Sequence, residues 1–517
     1  MRACLFILVA AGCAMVSVAR PLSLGSPFAD GMVLQRGRMV PVWGWADAGA
    51  KIEVRFDGQV KTAIVGSNEF WRVDLDPLSA SKEGRTLVVS VAGTPGSAHL
   101  EVADVLVGEV WLCSGQSNME FPFWNNARNC DPRFRDAEGG LIAQMTRRPF
   151  IRVCFASDYR TSDEPRSKAR FPVRWRKMTP EFLRGDEEII RDDVERFGFG
   201  HGFSAIGTYF ALELYAALDV PIGVVGCYWG GTRIEPWIPS DGYDSVGLDI
   251  ERDAVAYSDP QGRARPVWQR PRRIWNEMVN PFVPMAMRGV IWYQGCSNAD
   301  EAPSRYTRLM HALYDGWSRK FENADMRFYF VQIAAWEEGG HPEFQQAQAR
   351  FADEEPNAAM AVINDLSNLT DIHPNRKGPV ARRLAVHALK RDYGFSEIED
   401  ESPRLREWKI CGDRFVMTFD HARSFYVYNE SYCSPSNGFE ICGADGIWKP
   451  GRLHGLDKHP VSGIWRGNVS GGNVLEVSAD GVTNPQRLRY LYVRPWFGSV
   501  YSDVALPLGS FCIDARK

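Results

Sequence analysis

Val105-Leu106-Val107-Gly108-Glu109-Val110-Trp111-Leu112-Cys113, followed at once by Ser114-Gly115-Gln116-Ser117-Asn118-Met119, is the stretch from which the chain is best read. The first part is mostly apolar, as in a strand of a parallel sheet covered on both faces. The second part is a small-residue turn at the carboxyl end of that strand. Open α/β sheets place their sites at such ends.

Downstream, strands and helices alternate. Ser204–Leu218 is expected to be a helix capped by its serine, and Ile222–Gly226 a strand. Gly289–Tyr293 reads as a strand, Tyr306–Phe321 as a helix, and Arg327–Ile333 and Met360–Ile363 as strands. Pro379–Leu389 reads as a closing helix with proline in its first turn. This order predicts a doubly wound α/β domain over 104–395. Residues 124–200 mix charges, prolines and aromatics without a clear period, and are expected to be long insertions at the mouth of the site.

Upstream, Met39–Trp45, Lys51–Phe56, Trp71–Leu75 and Leu87–Val91 are apolar or alternating runs separated by Gly, Pro and Asp, which predicts a β-sandwich over 20–103. Arg414–Phe419, Ser424–Tyr428, Val474–Val477 and Arg487–Val493 predict a second β-sandwich over 403–517. Three domains suit a chain of 517 residues.

Arg2, the apolar run to Val18 and Ser17-Val18-Ala19 predict a signal peptide over 1–19, with a lipid anchor at Cys13 as the alternative. Export is therefore expected, and no later stretch reads as a membrane span. A net charge of −4 argues against a nucleic-acid partner. The 11 cysteines include no CxxC pair and no zinc spacing, so no metal is expected. Cys433 and Cys442 are the nearest candidates for a disulfide. Oligomeric state is left open.

Four segments carry chemistry, and each follows a predicted strand. Ser117 could be a nucleophile if a base took its proton. His373, in Thr370-Asp371-Ile372-His373-Pro374, lies in a loop between strand and helix and could be that base, with Asp371 fixing its tautomer. Gly230-Gly231-Thr232 could present backbone N–H groups to an oxyanion, and Gln294 a side-chain amide. Taken singly, each is more readily a structural turn.

Together and in this order they resemble the signature blocks of the sialate O-acetylesterase branch of the SGNH hydrolases. Gly115–Met119 (GQSNM), Trp229–Thr232 (WGGT) with Glu235-Pro236-Trp237, Trp292–Asn298 (WYQGCSN) and Asp371–Pro374 (DIHP) are the matching segments. Phe28–Arg36, Phe203-Ser204-Ala205 and Asn437–Ile441 extend the likeness over nearly the whole chain after residue 19.

The resemblance implies an SGNH-type fold and a cofactor-free serine esterase that removes acetyl groups from sugars. Ser117 would attack the acetyl carbonyl, His373 would carry the proton and Asp371 would orient it. The N–H of Ser117, that of Gly230 or Gly231, and the Gln294 side chain would form the oxyanion hole. Two departures stand out. The aspartate is two residues before the histidine rather than three, which keeps Asp365 or a Ser–His dyad with a backbone carbonyl in play. Cys296 stands where the family usually has Glu.

The expected partner is an O-acetylated sugar or glycan. Sialic acid is expected first, with acetylated xylan or another glycan as the alternative. Trp124, Trp229, Trp237 and Trp336 could stack on sugar rings. Arg233, Asn298 and Arg350 are candidate substrate contacts. A glycan-binding protein with a decayed hydrolase domain is the reading from another class, and Cys296 alone favours it.

Overall fold

One long strand organises the molecule. The computed structural model describes residues 20–92, 98–123, 150–156, 159–179, 182, 203–249, 266–336, 342–368, 370–429, 438–455, 459–461, 464–469, 472–492 and 498–516. The expected signal peptide, Cys13, Trp124 and Cys433 lie outside them. Before the long strand come β1 (Ser23–Leu24), β2 (Val33–Gln35), β3 (Val40–Trp45), β4 (Lys51–Phe56), β5 (Gln59–Ile64), β6 (Phe70–Leu75) and β7 (Ser81–Val91); the long strand itself is β8 (His99–Gly115). Its first half pairs antiparallel with β7, and β2 lies parallel to its middle. Its second half pairs in parallel with two central strands. The amino-terminal β region and the α/β region thus share one strand, which runs through residues 103 and 104.

Period-2 burial builds the amino-terminal core. In β4, Ile52, Val54 and Phe56 point inward; in β6, Trp71, Val73 and Leu75 do. β1, β3 and β6 form a separate three-stranded sheet whose side chains join the same core.

The central sheet adds β9 (Ile151–Phe155), β10 (Trp175–Lys177), β11 (Ile222–Tyr228), β12 (Gly289–Tyr293), β13 (Arg327–Val331) and β14 (Ala358–Ala361). Their order is β10-β9-β11-β8-β12-β13-β14, with β10 antiparallel at the edge and the rest parallel. β9 corrects the expectation that 124–200 is wholly insertion, because it is a sheet strand beside β11. Its second residue, Arg152, is buried and bonds Asp104 at 3.1 Å, which hides the strand's core character from the sequence pattern.

Helices cover both faces. Described helices include α1 (Ser117–Glu120), α2 (Ala205–Leu218), α3 (Ser240–Ser245), α4 (Pro303–Lys320), α5 (Pro342–Glu354) and α6 (Lys377–Asp392). Ser204 caps α2 as expected, accepting the Gly207 N–H. Ile206, Phe210 and Leu214 of α2, with Val380 and Leu384 of α6, pack against Trp111, Cys113 and Ile291. Leu309, Leu313 and Trp317 of α4 and Phe351 of α5 pack against Leu112, Val290 and Trp292 on the other face. Alternate residues of β8 and β12 thus feed the two cores.

Glu109 ties the regions together. It is fully buried, bonded to Gln35 at 2.9 Å, Arg36 at 2.6 Å and Arg288 at 3.1 Å. Burial pushes its carboxyl up, but Arg288, Gln35 and Arg36 outweigh that and hold it below the ordinary value.

Beyond α6 the described strands form antiparallel seven- and four-stranded sheets from Arg404–Cys411 to Phe511–Asp514. Phe415, Phe419, Phe439, Leu475 and Leu488 are in their core. Cys442 is a buried free thiol in this part.

Candidate active site

β8 lies between β11 and β12, and the pairing sets Gly115 beside Tyr228 on one side and Tyr293 on the other. Three carboxyl ends therefore stop together, and the segments after them meet. Gly115 has φ +138°, and a Cβ there would lie 2.3 Å from the Tyr293 carbonyl oxygen, so the close approach requires glycine. The Gln116 N–H donates to that same carbonyl at 3.0 Å, and the Trp229 N–H to Gly115 O at 3.1 Å. The chain then enters α1 with Ser117 as its first residue.

His373 comes from the loop before α6. Its Nε2 lies 2.9 Å from Ser117 Oγ across 256 residues of sequence. Asp371 Oδ1 accepts the His373 backbone N–H at 2.8 Å and lies 3.4 Å from Nδ1. The Asp371 side chain is 52% exposed, so it orients the ring from the solvent side. Asp365, the alternative, is spent on a two-pronged pair with Arg383 at 2.8 and 2.7 Å. Burial, and after it the charge of Lys377, push the His373 imidazolium below its ordinary value, against the pull of Asp371. A neutral imidazole with Nε2 facing the hydroxyl is what a general base requires.

The loop is held from behind by Asn118. Its Nδ2 donates to the Ile372 carbonyl at 3.0 Å, and its Oδ1 accepts from Lys377 Nζ. Lys377 is fully buried over the rings of Phe121 and Tyr293, at 5.1 and 5.4 Å. Burial lowers its ammonium to about 7, although Cys296 and Asp371 pull upward. Cys296 Sγ lies 4.0 Å from Asn118 Nδ2, and burial pushes its thiol up to about 12. The departure from the family's Glu therefore falls on the support behind His373, not on Ser117, His373 or Asp371.

The oxyanion side needs correction. Gln294 is fully buried, and its amide is consumed internally. Nε2 donates to Thr232 O at 3.1 Å and Asn298 Oδ1 at 2.8 Å, while Oε1 accepts the Tyr306 hydroxyl at 2.9 Å. Two donor hydrogens with two acceptors leave none for an oxyanion. Asn298 donates to Glu235 at 3.0 Å, and its Oδ1 accepts the Ile234 N–H at 3.0 Å as well as the Gln294 amide. Arg233 is buried among Asp300, Glu301 and the Ser297 carbonyl. These residues brace the glycine turn through internal hydrogen bonds. Arg350 sits on the exposed side of α5. Trp237 is core, with its Nε1 bonded to Thr232 Oγ1 at 3.1 Å.

The glycine turn does lie against Ser117. A Cβ on Gly230 would be 3.3 Å from Ser117 Cβ. The Gly230 N–H, however, donates to Glu120 Oε2 at 2.5 Å. No hydrogen bond of the Ser117 or Gly231 N–H occurs among the described residues. Trp229, half-buried beside the turn, stacks on Trp268 at 5.5 Å and 18°.

Sequence reasoning missed Glu120, Tyr159 and Trp268, and gave no role to Asn118 or Lys377, which it met only as parts of motif blocks. Asn118 and Glu120 lie within four residues of Ser117, where any polar side chain on a one-turn helix must face the site or its support. That proximity was the available signal. Tyr159 lay in the stretch read as insertion.

A family model described as "Carbohydrate esterase, sialic acid-specific acetylesterase" matches residues 190–389, which include Gly230, Gln294 and His373. The sialate O-acetylesterase of Homo sapiens is 28% identical over 449 residues, covering 79% of each chain. That of Rattus norvegicus is 29% identical over 475 residues, covering 79% of this chain and 81% of its own. Among solved structures, a carbohydrate acetylesterase from Xanthomonas citri superposes with a TM-score of 0.76 at 29% identity, over 95% of this chain and 99% of that one.

Proposed function

We propose that the chain is a carbohydrate esterase of the sialic acid-specific acetylesterase kind and that it removes O-acetyl groups from sugars, sialic acids first, through an acetyl-enzyme on Ser117. The observation that carries the mechanism is the 2.9 Å approach of His373 Nε2 to Ser117 Oγ at the carboxyl edge of the sheet. The Ser117 proton passes to Nε2 as Oγ bonds to the acetyl carbon. The carbonyl oxygen gains negative charge and is met by backbone N–H groups at the start of α1 and in the glycine turn. Imidazolium then gives its proton to the departing sugar oxygen. Water, deprotonated by the same nitrogen, releases acetate and restores Ser117. Asp371 keeps the Nδ1 side of the ring oriented and balances the imidazolium.

The parallel sheet with helices on both faces supports an SGNH-type doubly wound domain, and the flanking antiparallel sheets support β-sandwiches on either side. The amino-terminal run supports export. Among the described residues no helix is long and apolar enough to cross a membrane.

The test is hydrolysis of 9-O-acetylated sialic acid beside acetylated xylan, with Ser117→Ala and His373→Ala as controls. The proposal expects acetate release from the sialic acid ester, lost in both variants. Faster release from xylan would reassign the sugar, and activity surviving in Ser117→Ala would remove the mechanism.

A further inference from the structure

Glu120 ends α1 three residues after Ser117, and both carboxylate oxygens are engaged. Oε2 accepts the Gly230 N–H at 2.5 Å, and Oε1 accepts the Tyr159 hydroxyl at 2.8 Å. A Cβ on Gly230 would lie 2.7 Å from Glu120 Oε2, so the turn sits flush against both the carboxylate and the nucleophile. The other end of the clamp is aromatic. Tyr159 meets Trp229 edge to face at 5.7 Å and 85°, Trp229 stacks on Trp268, and Trp268 comes within 3.9 Å of a Cβ built on Gly231. Glu120, Tyr159, Trp229, Trp268 and the two glycines thus close a ring of contacts around the turn.

We propose that Glu120 is a positioning residue for acyl transfer: by holding the Gly230 N–H it fixes the glycine turn beside Ser117 and leaves the oxyanion to the N–H groups of Ser117 and Gly231. This rests on the acyl-transfer reading above. Gly230 cannot serve two acceptors well with one hydrogen, and the acceptor it has is half-buried and anchored by Tyr159. A reacting geometry displaced by about 1 Å costs about 100-fold in rate, which is the leverage such a clamp has. A full negative charge beside the developing oxyanion would raise the barrier. Burial pushes the Glu120 carboxyl up, against the bonds from Tyr159 and Gly230, which reduces that opposition. The clamp needs an acceptor for Gly230 and a partner for Tyr159, and a neutral amide supplies both because a hydroxyl can donate or accept.

Glu120→Ala, Glu120→Gln and Tyr159→Phe are compared with the full chain on 4-nitrophenyl acetate, with kcat, KM and melting measured together. Glu120→Ala is expected to lower kcat about 100-fold with KM changed less than about 3-fold, and Glu120→Gln to restore at least about a third of the lost rate. Wild-type kcat in Glu120→Ala overturns the proposal. So does equal impairment in Glu120→Gln, which would put the carboxylate into the chemistry itself. If Glu120→Ala does not fold, Tyr159→Phe decides: a kcat reduced severalfold supports the clamp and an unchanged kcat refutes it. A Ser117→Ala control separates the levels. Activity surviving there refutes the serine mechanism, whereas an inactive Ser117→Ala beside a fully active Glu120→Ala refutes the clamp alone.

Discussion

Replacing Lys377 by Met removes a buried ammonium directly behind the proposed base. Its ordinary value of 10.5 falls to about 7 in the fold. At about 1.36 kcal/mol per pH unit, burying the charged form costs about 5 kcal/mol at and below neutrality. Methionine of similar length escapes that cost. It forfeits the bond to Asn118 Oδ1, worth about 1.5–3 kcal/mol, and two ring contacts worth about 0.5–1 kcal/mol each. The expected balance at pH 6 is a variant more stable by about 1 kcal/mol. The sign changes with pH. Between 7 and 10.5 the unfolded chain binds a proton that the folded chain does not, so wild-type stability gains from this group as pH rises. Lys377→Met lacks that gain, so its advantage is gone near pH 8 and at pH 9 it is the less stable chain, by about 2 kcal/mol. Activity moves the other way. Asn118 loses its anchor, the Ile372–His373 loop loosens, and kcat falls about 10-fold. Without the neighbouring charge the His373 imidazolium rises, so the acid limb of kcat/KM moves to higher pH. Urea unfolding at pH 6 and 9 and a pH–rate profile measure all of this. A variant destabilised by several kcal/mol at pH 6, with an unmoved acid limb, would refute the reasoning.

Wild-type kcat/KM should rise through an apparent value below 6.5, because burial and Lys377 depress His373; a limb above 6.5 would contradict this. Gln294→Ala should cost about 3 kcal/mol of stability by stripping partners from Thr232, Asn298 and Tyr306. Wild-type stability with a lower kcat would return Gln294 to the oxyanion. Glu109→Ala should cost about 3–5 kcal/mol by stranding Arg288 and Arg36 in the joint between the two amino-terminal regions. Because Glu109 titrates lower when folded, that stability is present above about 4.5 and is lost as pH falls through the folded value; equal melting of variant and wild type at pH 7 would refute it.

Strand ends were legible because buried parallel strands are continuous apolar runs. Val105–Cys113, Ile222–Gly226 and Gly289–Tyr293 were readable as strands, and so were the turns that follow them. That placed Ser117, Gly230 and His373 at one edge. β9 was not legible, since its core places are shared with a buried arginine whose partner, Asp104, lies 48 residues away. α5 was missed because its inward face carries Gln345 and Gln348 beside Phe344 and Phe351, and polar residues mask its period. Gln294, Asn298 and Arg233 were assigned by residue type at the right sheet edge. Their direction is set by Tyr306, Glu235 and Glu301, which no local pattern reveals. The same holds for Glu120, whose partner Tyr159 is 39 residues distant.

The central claim is that acetyl passes through Ser117. Rapid quenching during turnover of an acetyl ester, followed by peptide mass mapping, tests it most directly. The account predicts one added acetyl group on Ser117, absent when His373 is replaced by alanine. Continued turnover with no acetyl on Ser117, or with the acetyl on another residue, would contradict it.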